Sequence, residues 1–91
     1  MQFSGQGSKV AAFHLDGGDY SVLWTAESHD GGSNFIVWLH LRANAAADKL
    51  LANVQPSQVS SGEAYLNTDG GDYILEVVAD GVAWTLAITP L

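Results

Sequence analysis

Four stretches of the chain alternate apolar and polar residues with a period of two, the spacing that sends successive side chains to opposite faces of a β-strand. Tyr20, Val22, Trp24 and Ala26 share one face of the first stretch, and Phe35, Val37, Leu39 and Leu41 share one face of the second. Tyr73, Leu75, Val77 and Ala79 do so in the third, and Val82, Trp84, Leu86 and Ile88 in the fourth. Lys9–Leu15, Leu50–Val54 and Glu63–Asn67 are shorter candidates of the same kind. Between them stand Asp16-Gly17-Gly18, Asp30-Gly31-Gly32 and Asp69-Gly70-Gly71. These read as tight turns, because glycine tolerates positive φ and Asp bonds its own backbone. The pattern predicts an all-β chain: an antiparallel β-sandwich, jelly-roll or Ig-like, of about seven to eight short strands.

Helix has one opening, at Ala43–Leu51, where good helix formers follow an Asn44 cap. That span falls short of the roughly 12 residues a helix needs without packing help, so it predicts a loop or a single turn. Ser57–Gly62, rich in serine, predicts a second surface connection. One internal repeat is present: Asp16-Gly17-Gly18-Asp19-Tyr20 recurs as Asp69-Gly70-Gly71-Asp72-Tyr73. Two copies make neither a solenoid nor a propeller. They predict two equivalent corners of a sandwich, each with a tyrosine ring in the core and its hydroxyl on backbone near the turn.

These residues carry a resemblance. Phe13 and Leu15 are followed by Gly18-Asp19-Tyr20-x-Val22-x-Trp24-Thr25-Ala26, then by Ser33-Asn34-Phe35-Ile36-Val37-Trp38-Leu39, Leu50-Leu51-x-Asn53 and Ser61-Gly62-Glu63. The series closes with Gly71-Asp72-Tyr73-x-Leu75-Glu76-Val77-x-Ala79-x-Gly81-x-x-Trp84-Thr85. From about Gly5 to Ile88 the chain resembles the small β-sandwich modules of actinobacterial surface proteins and lipoproteins, and of virion proteins of the phages that infect those bacteria. The resemblance implies a fold and no shared catalytic residues.

The chain has 91 residues, which predicts one domain spanning 1–91. Ten acidic residues against three basic ones give a net charge of −7, which argues against nucleic acid as a partner, since phosphates demand clustered Lys and Arg. With no cysteine, disulfides and thiolate chemistry are excluded. The opening Met1–Gly7 has no basic region followed by an apolar stretch, and the longest apolar run, Phe35–Leu39, is far below a membrane span. The expectation is a protein that is not exported by its own signal and does not enter a membrane. Secreted members of the resembled group carry a signal peptide, so its lack here favours the virion branch.

Candidate chemistry is sparse. Asp16, Asp19, Asp69 and Asp72 are weak candidates for a hard cation, but nothing resembles the twelve-residue calcium loop, and turn geometry alone selects Asp at such places. His14, His29 and His40 show no metal-helix spacing, and no Gly-x-Ser-x-Gly elbow exists. No cofactor and no enzymatic activity are expected. The aromatics divide more usefully. Tyr20, Trp24, Phe35, Tyr73 and Trp84 are in phase with the apolar faces, whereas Trp38 shares the opposite face with Ile36 and His40. Leu23, Ile74 and Val78 are also on outer faces, where a sandwich should be polar.

A patch of Trp38, Ile36, His40, Leu23, Ile74 and Val78 would be a binding surface. Cover from Ala43–Lys49, or a local error of phase, would instead make Trp38 core. Two functions follow. One is a structural virion component, such as a capsid decoration protein docked on the outer surface of a phage shell. The major capsid protein or another virion protein would be its partner, or a further copy of itself. Acidic charge suits that outer surface, since like charge repels packaged DNA. The other is a carbohydrate-binding or cell-surface adhesion module that uses Trp38 as a stacking platform.

Overall fold

A computed structural model describes residues 1–28, 34–42, 48–54 and 59–91. Among them are six strands and no helix: β1 (Gln2–Gln6), β2 (Lys9–Ser28), β3 (Phe35–Leu41), β4 (Lys49–Val54), β5 (Val59–Ala79) and β6 (Val82–Pro90). They form one antiparallel sheet in the order β1-β6-β2-β5-β3-β4.

Six strands rather than seven or eight is a correction, and its cause is physical. Two of the glycine motifs do not end strands. Lys9–Leu15 and Tyr20–Ala26 are two parts of β2, and Glu63–Asn67 and Tyr73–Ala79 are two parts of β5. The repeated motifs meet across the β2–β5 ladder, with Asp16 opposite Gly70, Leu15 opposite Gly71 and Gly18 opposite Thr68. Because each motif gives the other its hydrogen-bond partners, the extended chain continues through what local chemistry alone would make a turn. Val59–Gly62 is likewise strand rather than connection, paired with Glu27–Trp24. The amino-terminal strand β1, which carries no strong alternation, is held by pairing with β6. The third motif, at 30–32, and the segment 43–47 lie outside the described residues.

What the two glycine motifs do is bend the ladder and exchange its faces. Gly18 and Gly71 have φ of 146° and 144°, a region that residues with a Cβ rarely enter. Before the bend in β2 the inward residues are Ala11, Phe13 and Leu15; after it they are Tyr20, Val22, Trp24 and Ala26. β5 changes phase in the same way between Leu66 and Tyr73. The sheet thereby doubles over, so that strands far apart in its order touch. Phe35 of β3 packs against Trp24 of β2 and Trp84 of β6, at centroid distances of 5.4 and 6.3 Å. Phe3 of β1 lies 5.3 Å from Phe13 in the first part of β2.

The result has an approximate internal dyad. Tyr20, Val22, Trp24 and Ala26 of β2 face Pro90, Ile88, Leu86 and Trp84 of β6. In the same way Tyr73, Leu75, Val77 and Ala79 of β5 face Leu41, Leu39, Val37 and Phe35 of β3. Those four alternating stretches supply most of the core, and all but Leu41 and Pro90 among these residues are buried. The two tyrosines differ in detail. The Tyr20 hydroxyl donates to the Asp16 carbonyl at 2.7 Å, as the corner reading requires. The Tyr73 hydroxyl instead pairs with the Thr68 side chain, which accepts a bond from the Gly70 amide.

Candidate functional site

Beyond the bend, the outward face of the sheet is built in cross-strand rows. Ile36 of β3 stands opposite Val78 of β5, Trp38 opposite Glu76, and His40 opposite Ile74. On the far side, Trp38 pairs with Leu50 of β4, and Val10 of β2 pairs with Glu76. Five of the six residues expected to form an apolar patch are therefore neighbours. The alternation of β3 and β5 is sufficient to place them, since both strands are in phase and in register. Ile36, Trp38, His40 and Ile74 are half-buried, Val78 is 44% exposed, and Leu50 and Val10 add 42% and 67% exposed apolar side chains at the sides.

Leu23 is the exception and a correction. It belongs to the second part of β2, which pairs with β6 and the first part of β5, so its neighbours are Ala87 and Glu63. The bend carries it to the outward face of the other half. There Ser4, Thr85, Thr25 and Ser61 form a hydroxyl row across four strands, with Thr25 and Thr85 bonded at 2.6 Å. One outward face is thus apolar with charges, and the other sets a hydroxyl row beside the exposed Leu23 and Tyr65.

At the centre of the apolar face, Trp38 and His40 lie nearly parallel, 6.1 Å apart with an interplanar angle of 17°. His40 is gripped from both sides. Its Nδ1 is 2.8 Å from Asp48 Oδ2, and its Nε2 is 3.2 Å from Glu76 Oε1. These two hydrogen bonds, Asp48 first and Glu76 second, hold the imidazole pKa above its ordinary value against a smaller opposing effect of burial. The proton so retained makes the bridge a charge-assisted one. The sign for stability follows. A raised pKa means that the bridge contributes fully below the unfolded value of about 6.5 and is lost as pH rises through the folded value. We expect His40 to titrate above a free imidazole in an NMR pH series, and Glu76→Gln to move it back down; no difference between the two proteins would show that the Glu76 contact is not made.

Asp48 and Glu76 were not among the expected site residues, although Glu76 alternates in phase with Ile74 and Val78. Nothing local marks Asp48. Leu50 is concealed by a bulge: β3 and β4 shift register between Val37 and Trp38, so that Leu51 and Ala52 are both buried and Leu50 emerges beside Trp38.

Of the four aspartates that were weak candidates for a cation, Asp16 and Asp72 share His14 and Asp19 pairs with Asn67. His14 Nδ1 is 3.0 Å from Asp72 and its Nε2 is 3.5 Å from Asp16, and this histidine is also raised, mainly by the Asp72 hydrogen bond. Asp19 accepts from Asn67 at 2.6 Å. By the internal dyad, that bond is the counterpart of the one between Asp72 and His14. Among the described residues no three His, Asp or Glu side chains are grouped to hold a metal ion. His29 lies outside the described residues. Both ring nitrogens of His40 face carboxylates, an arrangement that fixes charge rather than activating a hydroxyl.

No known protein-family model matches this chain, and no curated protein matches its sequence.

Proposed function

We propose that the protein is a non-catalytic structural component that docks on a larger assembly, as a capsid decoration protein does on the outer surface of a phage shell. The observation that carries this reading is the apolar outward face of β3, β4 and β5. Ile36, Trp38, Ile74, Val78 and Leu50 stand there beside one another, where a sheet facing only water would be polar. On this reading the doubled sheet is a β-sandwich, one layer presenting the apolar face and the other the hydroxyl row. The net charge of −7 and the resemblance to actinobacteriophage virion modules support the virion assignment. Among the described residues no helix is long and apolar enough to cross a membrane.

Co-sedimentation with capsid shells assembled without this protein tests the reading. The native chain should pellet with the shells. Trp38→Ala should remain in the supernatant while losing only about 1 kcal/mol of stability, since its side chain is half-exposed. A native chain that ignores the shells would overturn the virion reading. A second reading rests on the carboxylates of Asp48 and Glu76 beside the Trp38 ring, which give an aromatic platform the polar neighbours that sugar hydroxyls require. Binding to a glycan array in place of shells would favour it.

A further inference from the structure

Resting on that docking reading, we infer the chemistry of the partner: a surface with apolar side chains at its centre and Lys or Arg placed to meet the carboxylates of Asp48 and Glu76. The face is apolar in its rows but acidic at its middle, since Glu76 stands between Val10 and Trp38 and Asp48 sits across His40. The side chains of Glu76 and Asp48 are 43% and 29% exposed, open to a partner and yet shielded from bulk water on one side. An incoming cation there meets two carboxylates and the face of an indole.

A second copy of the chain is a poor occupant. Its matching face would bring carboxylates against carboxylates, and each copy carries a net charge of −7. Basic residues to offset this are few. Of the three, Lys9 donates to the Ser4 carbonyl at 3.2 Å and Lys49 to the Tyr65 carbonyl, both on strand backbone. Arg42 follows the end of β3, where its amide bonds the Asp72 carbonyl.

His40 holds the place of the partner's cation in the free protein, and this gives the inference a sign in pH. The charged groups facing it are Asp48, just before β4, and Glu76 on β5, while Arg42 lies two residues on, just past the end of β3. A protonated His40 neutralises the carboxylates and competes with the partner. Once it loses its proton, the pair is free for Lys or Arg. Binding of a basic apolar partner should therefore strengthen as pH rises through the His40 titration. An uncharged apolar partner would show no such trend.

The probe is an amphipathic Leu/Lys helical peptide, set against a Leu/Glu peptide of the same pattern. Binding is followed by the shifts of the Trp38 indole N–H and the amides of Ile36–His40 and Ile74–Val78. The Leu/Lys peptide should move these signals with an affinity that rises severalfold between pH 5.5 and 8. Glu76→Gln should reduce that affinity severalfold and Trp38→Ala at least tenfold, while the Leu/Glu peptide leaves the face unmoved. Equal binding of both peptides, shifts confined to the Ser4–Thr85–Thr25–Ser61 row, or an affinity that falls as pH rises would overturn the inference. Shells that pellet the protein while the Leu/Lys peptide fails would overturn the basic partner and leave docking standing; peptide binding without shell binding would do the reverse.

Discussion

Phe35→Ala should bring the chain close to unfolding at room temperature. The Phe35 ring is wholly inaccessible to solvent and touches Trp24 and Trp84, so it is the side chain through which the two halves of the doubled sheet meet. Truncating a buried phenylalanine costs about 3–5 kcal/mol in lost transfer energy and residual cavity. Against a total of about 5–15 kcal/mol for a domain of this size, that is a large share. The melting temperature should fall by roughly 12–40 °C, given about 4–8 °C per kcal/mol in small domains. Denaturant titration followed by tryptophan fluorescence reads the loss directly, because two indoles pack on the deleted ring. The comparison that gives the result meaning is Trp38→Ala, a larger truncation on the outward face. If both substitutions cost the same, Trp38 is part of the core and the docking face does not exist.

The second large effect lies in the backbone. Gly70→Val should prevent the native fold, whereas Gly18→Ala should be tolerated at a measurable cost. Gly70 has φ of 94°, and a Cβ there would come within 2.9 Å of the Gly17 amide nitrogen and 3.1 Å of the Leu15 carbonyl oxygen. Both are main-chain atoms of β2, with no flexible side chain to swing aside. Steric overlap is thus added to a backbone strain of about 1–3 kcal/mol, and the ladder must open where it bends. Gly18 has φ of 146°, yet nothing lies within 4 Å of an added Cβ, so only the conformational cost applies. Amide hydrogen exchange in β2 and β5 distinguishes the cases. The Gly18 variant should keep protected amides on both sides of the bend. Equal behaviour of the two variants would mean that the strands do not approach one another closely at this point.

The contrast explains what a reader of the sequence can and cannot see. Period-two alternation reports which side chains share a face, and it placed Phe35, Val37, Leu39, Tyr73, Leu75 and Val77 inward correctly because neither stretch crosses the bend. It also put Ile36, Trp38, His40, Ile74 and Val78 on the outward face together. Connectivity is another matter. Asp-Gly-Gly-Asp has the same local chemistry in a hairpin and in a bent strand. What decides between them is the other copy of the motif, far away in the chain, which completes the hydrogen-bond ladder. Leu23 was misplaced for that reason alone. Its phase is right, but its strand pairs with β6 instead of β3. Similarly, Gly62 has no local signature. It faces Trp24 across the ladder, and an added Cβ would lie 2.4 Å from the indole, so its lack of a side chain is set by the partner strand. His40, Glu76 and Asp48 come from three different segments, and only the assembled sheet brings their charges together.

The position of β6 has a consequence for how the chain is made. The last strand to be synthesised, Val82–Pro90, lies between β1 and β2, and the amino terminus itself donates to the Ile88 carbonyl at 3.1 Å. At about 5–20 residues per second, β6 is completed about 0.5–2 s after β5. During that interval Val22 lacks Ile88, and Trp24 and Phe3 lack Leu86, as cross-strand neighbours, and the facing edges of β1 and β2 are open for pairing. Completion of the sheet therefore waits for β6 to emerge, and nascent chains are until then exposed to strand exchange with one another. A circular permutant that joins Leu91 to Met1 and opens the chain between β3 and β4 would make β6 and β1 consecutive, and should fold faster with the same sheet.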